Sequence, residues 1–278
     1  DVVLCNVGTD DREGKDRSFE LPVNQEQKVQ LCVQHNPRTV VIVSSGSGIR
    51  MTGWNEKAGA ILYSWYAGQN GNTALAEILA GKINPSGKLP ITIEKEFKDS
   101  PGYGYLPKGE SLDEKWTSQK EKEHPIYDVE YTEGVFSGYR WYEKKNIEPL
   151  YPFGFGCSYT TFEYSDLTVS KETFNENDVL LVSFQVKNTG KIKGAEIAQL
   201  YIHDIESTVQ RPVKELKGFE KVELEPGQSK IISLQLSKKD FSFWSVKTKN
   251  WFAEKGTFTI QVGSSSKDIK LQSQVELQ

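Results

Sequence analysis

The hydrophobic pattern of this chain changes period once, near residue 159, and that change restricts the fold more than any other feature. Before it, short apolar runs alternate with segments of helical spacing. Val2–Val7, Thr39–Ser44 and Ala60–Tyr66 read as strands, Val23–Gln34 and Thr73–Ala80 as helices, and Gly81 as the stop of the second helix. Lys88–Ile93 reads as a last short strand. Strands separated by helices imply a parallel sheet covered on both faces. After the change the helical period is gone. Phe162–Val169, Val179–Asn188, Ala195–His203, Val213–Leu224, Ser229–Leu236, Trp251–Val262 and Ile269–Val275 are spaced as strands, with turns at Asn188-Thr189-Gly190 and Pro226-Gly227.

The expected architecture is a partial, mostly parallel α/β sandwich over residues 1–100, a variable loop and connector over 101–158, and an all-β sandwich of immunoglobulin or fibronectin type III-like form over 159–278. The length of 278 residues suits two ordinary domains. The net charge is −4 with acids and bases mixed along the chain, so no basic face points to nucleic acid or to an anionic membrane. Apolar runs such as Thr39–Val43 are far short of the ~20 residues of a membrane-spanning helix. The spacings of Cys5, Cys32 and Cys157 match no metal pattern, and His35, His124 and His203 are scattered, so neither metal nor cofactor is expected. Cys5 and Cys32 lie in apolar stretches and read as small, reduced core residues. The chain opens on a buried strand with no Met and no signal peptide, which reads as the division of a larger protein.

Sites in parallel sheets form at the carboxyl ends of the strands, and the loop that starts at Gly8 is at such an end. It runs Thr9-Asp-Asp-Arg-Glu-Gly-Lys-Asp-Arg-Ser-Phe-Glu-Leu-Pro22 and carries the acids Asp10, Asp11, Glu13, Asp16 and Glu20. Asp16-Arg17 can brace it by local ion pairing. A charged loop is usually no more than a solvated one, but Gly14 directly after Glu13 frees the backbone to swing that carboxylate into a cleft. Gly46-Ser47-Gly48 lacks the further glycines or the Gly-Lys-Ser/Thr of a phosphate loop and reads as a turn beside the site rim. Glu77, Glu94 and Glu96 read as surface groups.

Several motifs occur in a fixed order. They are Glu13-Gly-Lys-Asp-Arg17 with Leu21-Pro22, Trp65-Tyr-Ala-Gly-Gln69, Gly81-Lys-Ile-Asn-Pro-Ser-Gly-Lys-Leu-Pro90, Glu133-Gly-Val-Phe-Ser-Gly-Tyr-Arg-Trp-Tyr142 and Tyr151-Pro-Phe-Gly-Phe-Gly-Cys-Ser-Tyr-Thr-Thr-Phe162. Lys187-Asn-Thr-Gly190 and Leu216-Lys-Gly-Phe219 follow. Together they resemble the C-terminal portion of family 3 glycoside hydrolases of the β-glucosidase type. Cys157 stands where that family more often has Leu, and residues 101–130 match no shared motif. The dense aromatics of residues 131–142 fit either a sugar-stacking platform or, preferably, a connector packed on both domains.

The resemblance implies a retaining β-glycosidase, a β-glucosidase first and a β-xylosidase as a further possibility. It would cut terminal sugars from short oligosaccharides or glycosides. Such enzymes need two carboxyl groups about 5–5.5 Å apart. By resemblance Glu13 is the general acid/base. Arg12 and Lys15 would lower its pKa if they pointed at it, so they are expected to turn away or to contact substrate or Asp residues, with Arg12 the substrate contact. The nucleophilic aspartate then belongs to a barrel domain or chain that these residues do not include, and that barrel is the expected partner. A non-catalytic carbohydrate-binding or scaffold subunit is the alternative.

Overall fold

The computed structural model describes residues 1–12, 17–104 and 130–278. Glu13, Lys15 and Asp16, and most of the variable loop expected at 101–130, lie outside the described residues. The N-terminal half is built on three parallel strands, β1 (Val3–Gly8), β2 (Thr39–Ser44) and β3 (Ala60–Tyr63), in the order β1-β2-β3. β2 is the middle strand and is covered on both sides, with Val41 and Val43 at 0 % exposure and Ile42 at 4 %. That is why its run is apolar throughout instead of alternating. Helix α1 (Val23–His35) seats Val29 and Val33 on the same core as Cys5, Val7 and Trp54. Burial, then the neighbouring Cys32, pushes the Cys5 thiol up to about 11, so it is an apolar, protonated core group. Helix α2 (Gly71–Leu79) follows β3 and buries no residue fully.

The strand expected over Lys88–Ile93 does not join this sheet. Its hydrogen bonds go to the connector instead. Leu89 N–H donates to the Phe155 carbonyl at 2.8 Å and Gly154 N–H to the Leu89 carbonyl at 2.8 Å. Ile93 and Tyr151 exchange bonds of 2.8 and 3.0 Å in an antiparallel bridge. Pro90 has no N–H to give, so a continuous ladder cannot form here.

Within the connector, the short helix α3 (Tyr139–Lys144) touches both halves. Trp141 Nε1 donates to the Asp99 carbonyl at 3.0 Å, while the Tyr139 hydroxyl accepts from Leu216 N–H at 2.8 Å. The Tyr139 ring stacks on Phe153 at 5.0 Å and meets the edge of Tyr201 at 5.9 Å.

The C-terminal half is a sandwich. One sheet has the order β4 (Phe162–Val169), β6 (Leu180–Asn188), β9 (Ser229–Leu236). The other has the order β5 (Thr173–Phe174), β13 (Ile269–Leu277), β12 (Gly256–Gly263), β7 (Gly194–Asp204), β8 (Glu215–Leu224). Alternate residues of facing strands, including Val182, Phe184, Leu200, Ile202 and Ile260, fill the space between. The strand expected over Trp251–Val262 is two elements. Helix α4 (Lys238–Phe241) leads into β10 (Phe243–Ser245), which pairs with β11 (Asn250–Phe252) as a hairpin, and β12 begins after it. The break falls at Glu254, whose carboxylate accepts from Ser207 Oγ and from Thr208 N–H, both at 3.0 Å.

The turn Asn84–Pro90 fastens the two halves together. Asn84 Oδ1 accepts from Ser158 Oγ at 3.0 Å and from Tyr159 N–H at 2.8 Å, and its Nδ2 donates to the Lys193 carbonyl at 3.0 Å. Lys88 Nζ lies 3.2 Å from Glu196 Oε1, which also accepts from the Tyr164 hydroxyl at 2.8 Å.

Candidate active site

The carboxyl ends of β1, β2 and β3 open onto a cleft of about 1060 Å³ that continues along the connector. The loop after β1 lies at its rim, and the described residues on either side of 13–16, Arg12 and Arg17, both line it. Arg17 is the main anchor. Its Nη2 donates to Ser45 Oγ (3.0 Å), Ser47 Oγ (2.6 Å) and the Gly48 carbonyl (2.9 Å), and its Nη1 to the Ser18 carbonyl (2.7 Å). Its Nε pairs with Asp11. The planar, forked guanidinium serves several acceptors at once, which an ammonium could not do in this arrangement.

Asp11 is the other half of the clasp. Its Oδ2 accepts from Gly46 N–H at 2.6 Å, and the Tyr66 hydroxyl accepts from Asp11 N–H and donates to the Thr9 carbonyl, both at 3.2 Å. Burial alone would raise the Asp11 carboxyl. The hydrogen bonds from Tyr66, Gly46 and Thr9 and the charge of Arg17 outweigh it and hold the carboxyl below the ordinary aspartate range. A Cβ on Gly46 would stand 2.8 Å from Asp11 Oδ2 and 3.1 Å from the Tyr66 ring, so a larger residue there would push one of these side chains aside. Gly46, Ser47 and Gly48, the residues read as a turn beside the site rim, line the cleft. Tyr63, at the end of β3, donates to the Ser47 carbonyl at 2.5 Å, and burial pushes its hydroxyl up to about 12, so it stays a donor.

The predicted residues fall as follows. Glu13 is outside the described residues. Arg12 is at the cleft rim, exposed, and pairs with Asp10 at 2.9 Å. The described ion pair that braces the loop is Asp11–Arg17, and Asp16, the expected partner of Arg17, is not described. Glu94 differs from its expected surface role. It is 8 % exposed and lines the cleft, and burial pushes its carboxyl above the ordinary glutamate range. Alternation beside the buried Ile93 places Glu94 on the opposite face, and its burial there comes from the connector residue Tyr142, which the period could not show. Tyr66 was also missed as a rim residue, because the strand expected over Ala60–Tyr66 ends at Tyr63 and leaves Tyr66 beyond its carboxyl end. Among the described residues, no group of three or more His, Cys, Asp or Glu side chains is placed to hold a metal ion.

Comparison with known proteins agrees with this geometry. Residues 1–159 match the glycosyl hydrolase family 3 C-terminal domain, and residues 196–266 match a fibronectin type III-like domain. The chain is 41 % identical over 281 aligned residues to thermostable beta-glucosidase B of Acetivibrio thermocellus, covering 100 % of this chain and 35 % of that protein. The GH3 beta-glucosidase of Bifidobacterium adolescentis superposes with a TM-score of 0.89 at 37 % identity, covering 100 % of this chain and 39 % of that one. The beta-glucosidase of Kluyveromyces marxianus, solved in complex with glucose, superposes with a TM-score of 0.86 at 35 % identity, covering 99 % of this chain and 31 % of that one. The chain therefore spans about a third of the length of the relatives it matches.

Proposed function

The chain belongs to glycosyl hydrolase family 3, and we propose that it supplies the general acid/base, Glu13, of a retaining β-glucosidase. The nucleophilic aspartate lies on a barrel outside these residues, and the division of labour follows the expected boundaries: acid/base loop within 1–100, connector within 101–158, sandwich within 159–278. The substrate is a short oligosaccharide or glycoside with a terminal β-glucosyl unit, and a β-xylosyl unit is the second choice.

The observation that carries this reading is the clasp. Asp11 and Arg17 flank Glu13, pair with each other and tie the loop to the turn Ser45–Gly48 at the mouth of the cleft. A general acid must hold a proton before bond cleavage. Asp11 is unsuited to that role because its surroundings keep it ionised. Asp10 is committed to an exposed pair with Arg12. In the reaction Glu13 protonates the departing glycosidic oxygen as the barrel aspartate attacks C1, then takes a proton from the water that releases the glycosyl-enzyme. Arg12, at the rim, is proposed as a contact to the substrate.

The test is turnover of cellobiose by the chain together with its barrel partner. Glu13→Ala should lower kcat/KM by about 10²–10⁴-fold. An aryl β-glucoside with a good leaving group should lose much less in its first step, and azide should restore turnover by replacing the activated water. Undiminished cellobiose hydrolysis by Glu13→Ala would remove the assignment and leave a carbohydrate-binding or scaffold role.

A further inference from the structure

The hairpin β10–β11 carries large aromatic side chains on both of its faces. Its root is fixed, because Phe241 before it and Ala253 after it are buried in the sandwich core. Beyond the root, Trp244 stands directly opposite Trp251, with ring centroids 5.8 Å apart and the planes at 78°. The two are 52 % and 46 % exposed. On the other face Phe252 is exposed opposite Phe243, at 5.9 Å. Scattered single apolar residues on a surface need no explanation, but two tryptophans and a phenylalanine on one short hairpin form a concentrated apolar patch. Cations surround it. Lys239, Lys247, Lys249 and Lys255 are exposed, and none of them is ion-paired among the described residues. The Lys239 ammonium lies 5.6 Å from the centre of the Trp251 ring. The acids of this stretch are engaged elsewhere: Asp240 caps α4 through Ser237, and Glu254 serves Ser207 and Thr208. The net charge of −4 for the whole chain hides this local excess of positive charge. Lys249 also has φ of 52°, in the left-handed region that favours glycine, so a lysine is held at this turn at a conformational cost.

We propose that this hairpin is a docking surface for an acidic polysaccharide, a chain of uronic acid units. The C–H faces of the sugar rings pack on Trp244 and Trp251, and the carboxylates of the chain meet the unpaired lysines. Charge and ring geometry together select this occupant. A second copy of the protein would set the same lysines against each other. Successive bases of a nucleic acid strand stack on aromatic platforms that keep the bases near parallel, whereas these two rings are nearly perpendicular. A bilayer receives an apolar edge, whereas Lys247 and Lys249 occupy the turn beside the exposed Val246. Sugar units turn relative to one another about their glycosidic bonds, so each tryptophan can meet a different unit of a twisted chain. The hairpin also has a firm support toward the cleft. Phe243 lies 5.8 Å from the Arg211 guanidinium, Arg211 donates to Glu215 at 2.7 Å, and Glu215 lies 3.6 Å from Arg140, which lines the cleft. Binding on the hairpin is read without turnover, so it does not depend on the role of Glu13.

The test is binding of polygalacturonate by the chain together with its barrel partner, followed by affinity electrophoresis and calorimetry. Trp251→Ala, and the double change Lys247→Gln with Lys249→Gln, should each weaken binding by about tenfold or more, while Trp251→Tyr, which keeps a ring, should retain most of it. Methyl esterification of the polymer, which removes its charge, and added salt should both weaken binding. These variants should unfold near the wild-type Tm and hydrolyse cellobiose with the wild-type kcat/KM, which separates lost docking from lost folding. The proposal is overturned if polygalacturonate is not bound, if a neutral β-glucan binds as tightly, or if Trp251→Ala binds as wild type. Tighter binding of phosphatidylserine vesicles or of oligothymidylate would overturn it in favour of a membrane or a nucleic acid. It also fails if radical footprinting finds Trp244 and Trp251 protected before any polymer is added, because a protein surface then covers them. Glu13→Ala should bind the polymer as wild type does, so failure of the acid/base assignment and failure of the docking surface are read separately.

Discussion

Arg17 carries more of the candidate site than its charge indicates. Five acceptors surround one guanidinium, namely Asp11, two serine hydroxyls and two carbonyls. Lysine at this position keeps the charge but not the fork. Arg17→Lys should therefore lower kcat on cellobiose far more than Arg12→Lys at the exposed rim, with thermal unfolding checking that both fold. Asp11 gives a pH signature. Its folded carboxyl titrates below its ordinary value of about 3.9, so its contribution is complete above that pH and is lost as pH falls through the depressed value. Asp11→Asn should cost about 1–3 kcal/mol at neutral pH. The gap to wild type, read from denaturant midpoints against pH, should close in acid. Sequence reading found this loop, because its charges follow a strand whose carboxyl end must be open. It did not find which acid pairs with Arg17, since that depends on the turn after β2 and on Tyr66, 28 to 55 residues distant in sequence.

At the scale of elements, close backbone approach explains the glycines of the connector. A Cβ on Gly156 would stand 2.3 Å from the Gly87 carbonyl, so the two segments can lie this near only with hydrogen there. Gly156→Ala should cost about 1–3 kcal/mol through forced displacement and should lower the Tm without altering sugar binding by the properly folded fraction. Strands with an uninterrupted apolar or alternating pattern, such as β2, β4 and β9, were legible to the residue, because one face or both had to be buried. Lys88–Ile93 was misjudged because its pattern is that of a strand while its partner is the antiparallel segment near Tyr151. The hairpin β10–β11 was missed for a related reason. Trp244 and Trp251 form a cross-strand pair on a half-exposed surface, where alternation carries little information.

Across the whole molecule, two cores meet through polar contacts that are themselves buried. Glu196, in the sandwich, is 4 % exposed and has its counter-charge on Lys88 of the α/β half. Removing one partner strands the other in a poor solvent. Lys88→Met should cost about 3–5 kcal/mol, and the double change Lys88→Met with Glu196→Leu should recover much of that, as measured by denaturant unfolding of the four-member cycle. The sequence showed that two architectures are joined near residue 159, through the single change of period. It could not show which charges cross the joint, because opposite charges 108 residues apart leave no periodic trace. The paired hydrogen bonds between Ile93 and Tyr151 also have an evolutionary meaning. The chain leaves the α/β half at Ile93 and returns to the same point at Tyr151, with α3 packed on both halves shortly before the return. Doubling the length of such an excursion adds only about 0.6 kcal/mol of closure entropy. Descendants of this fold can therefore change the length of the stretch ahead of α3 at little cost, while the contacts of α3 keep both cores as they are.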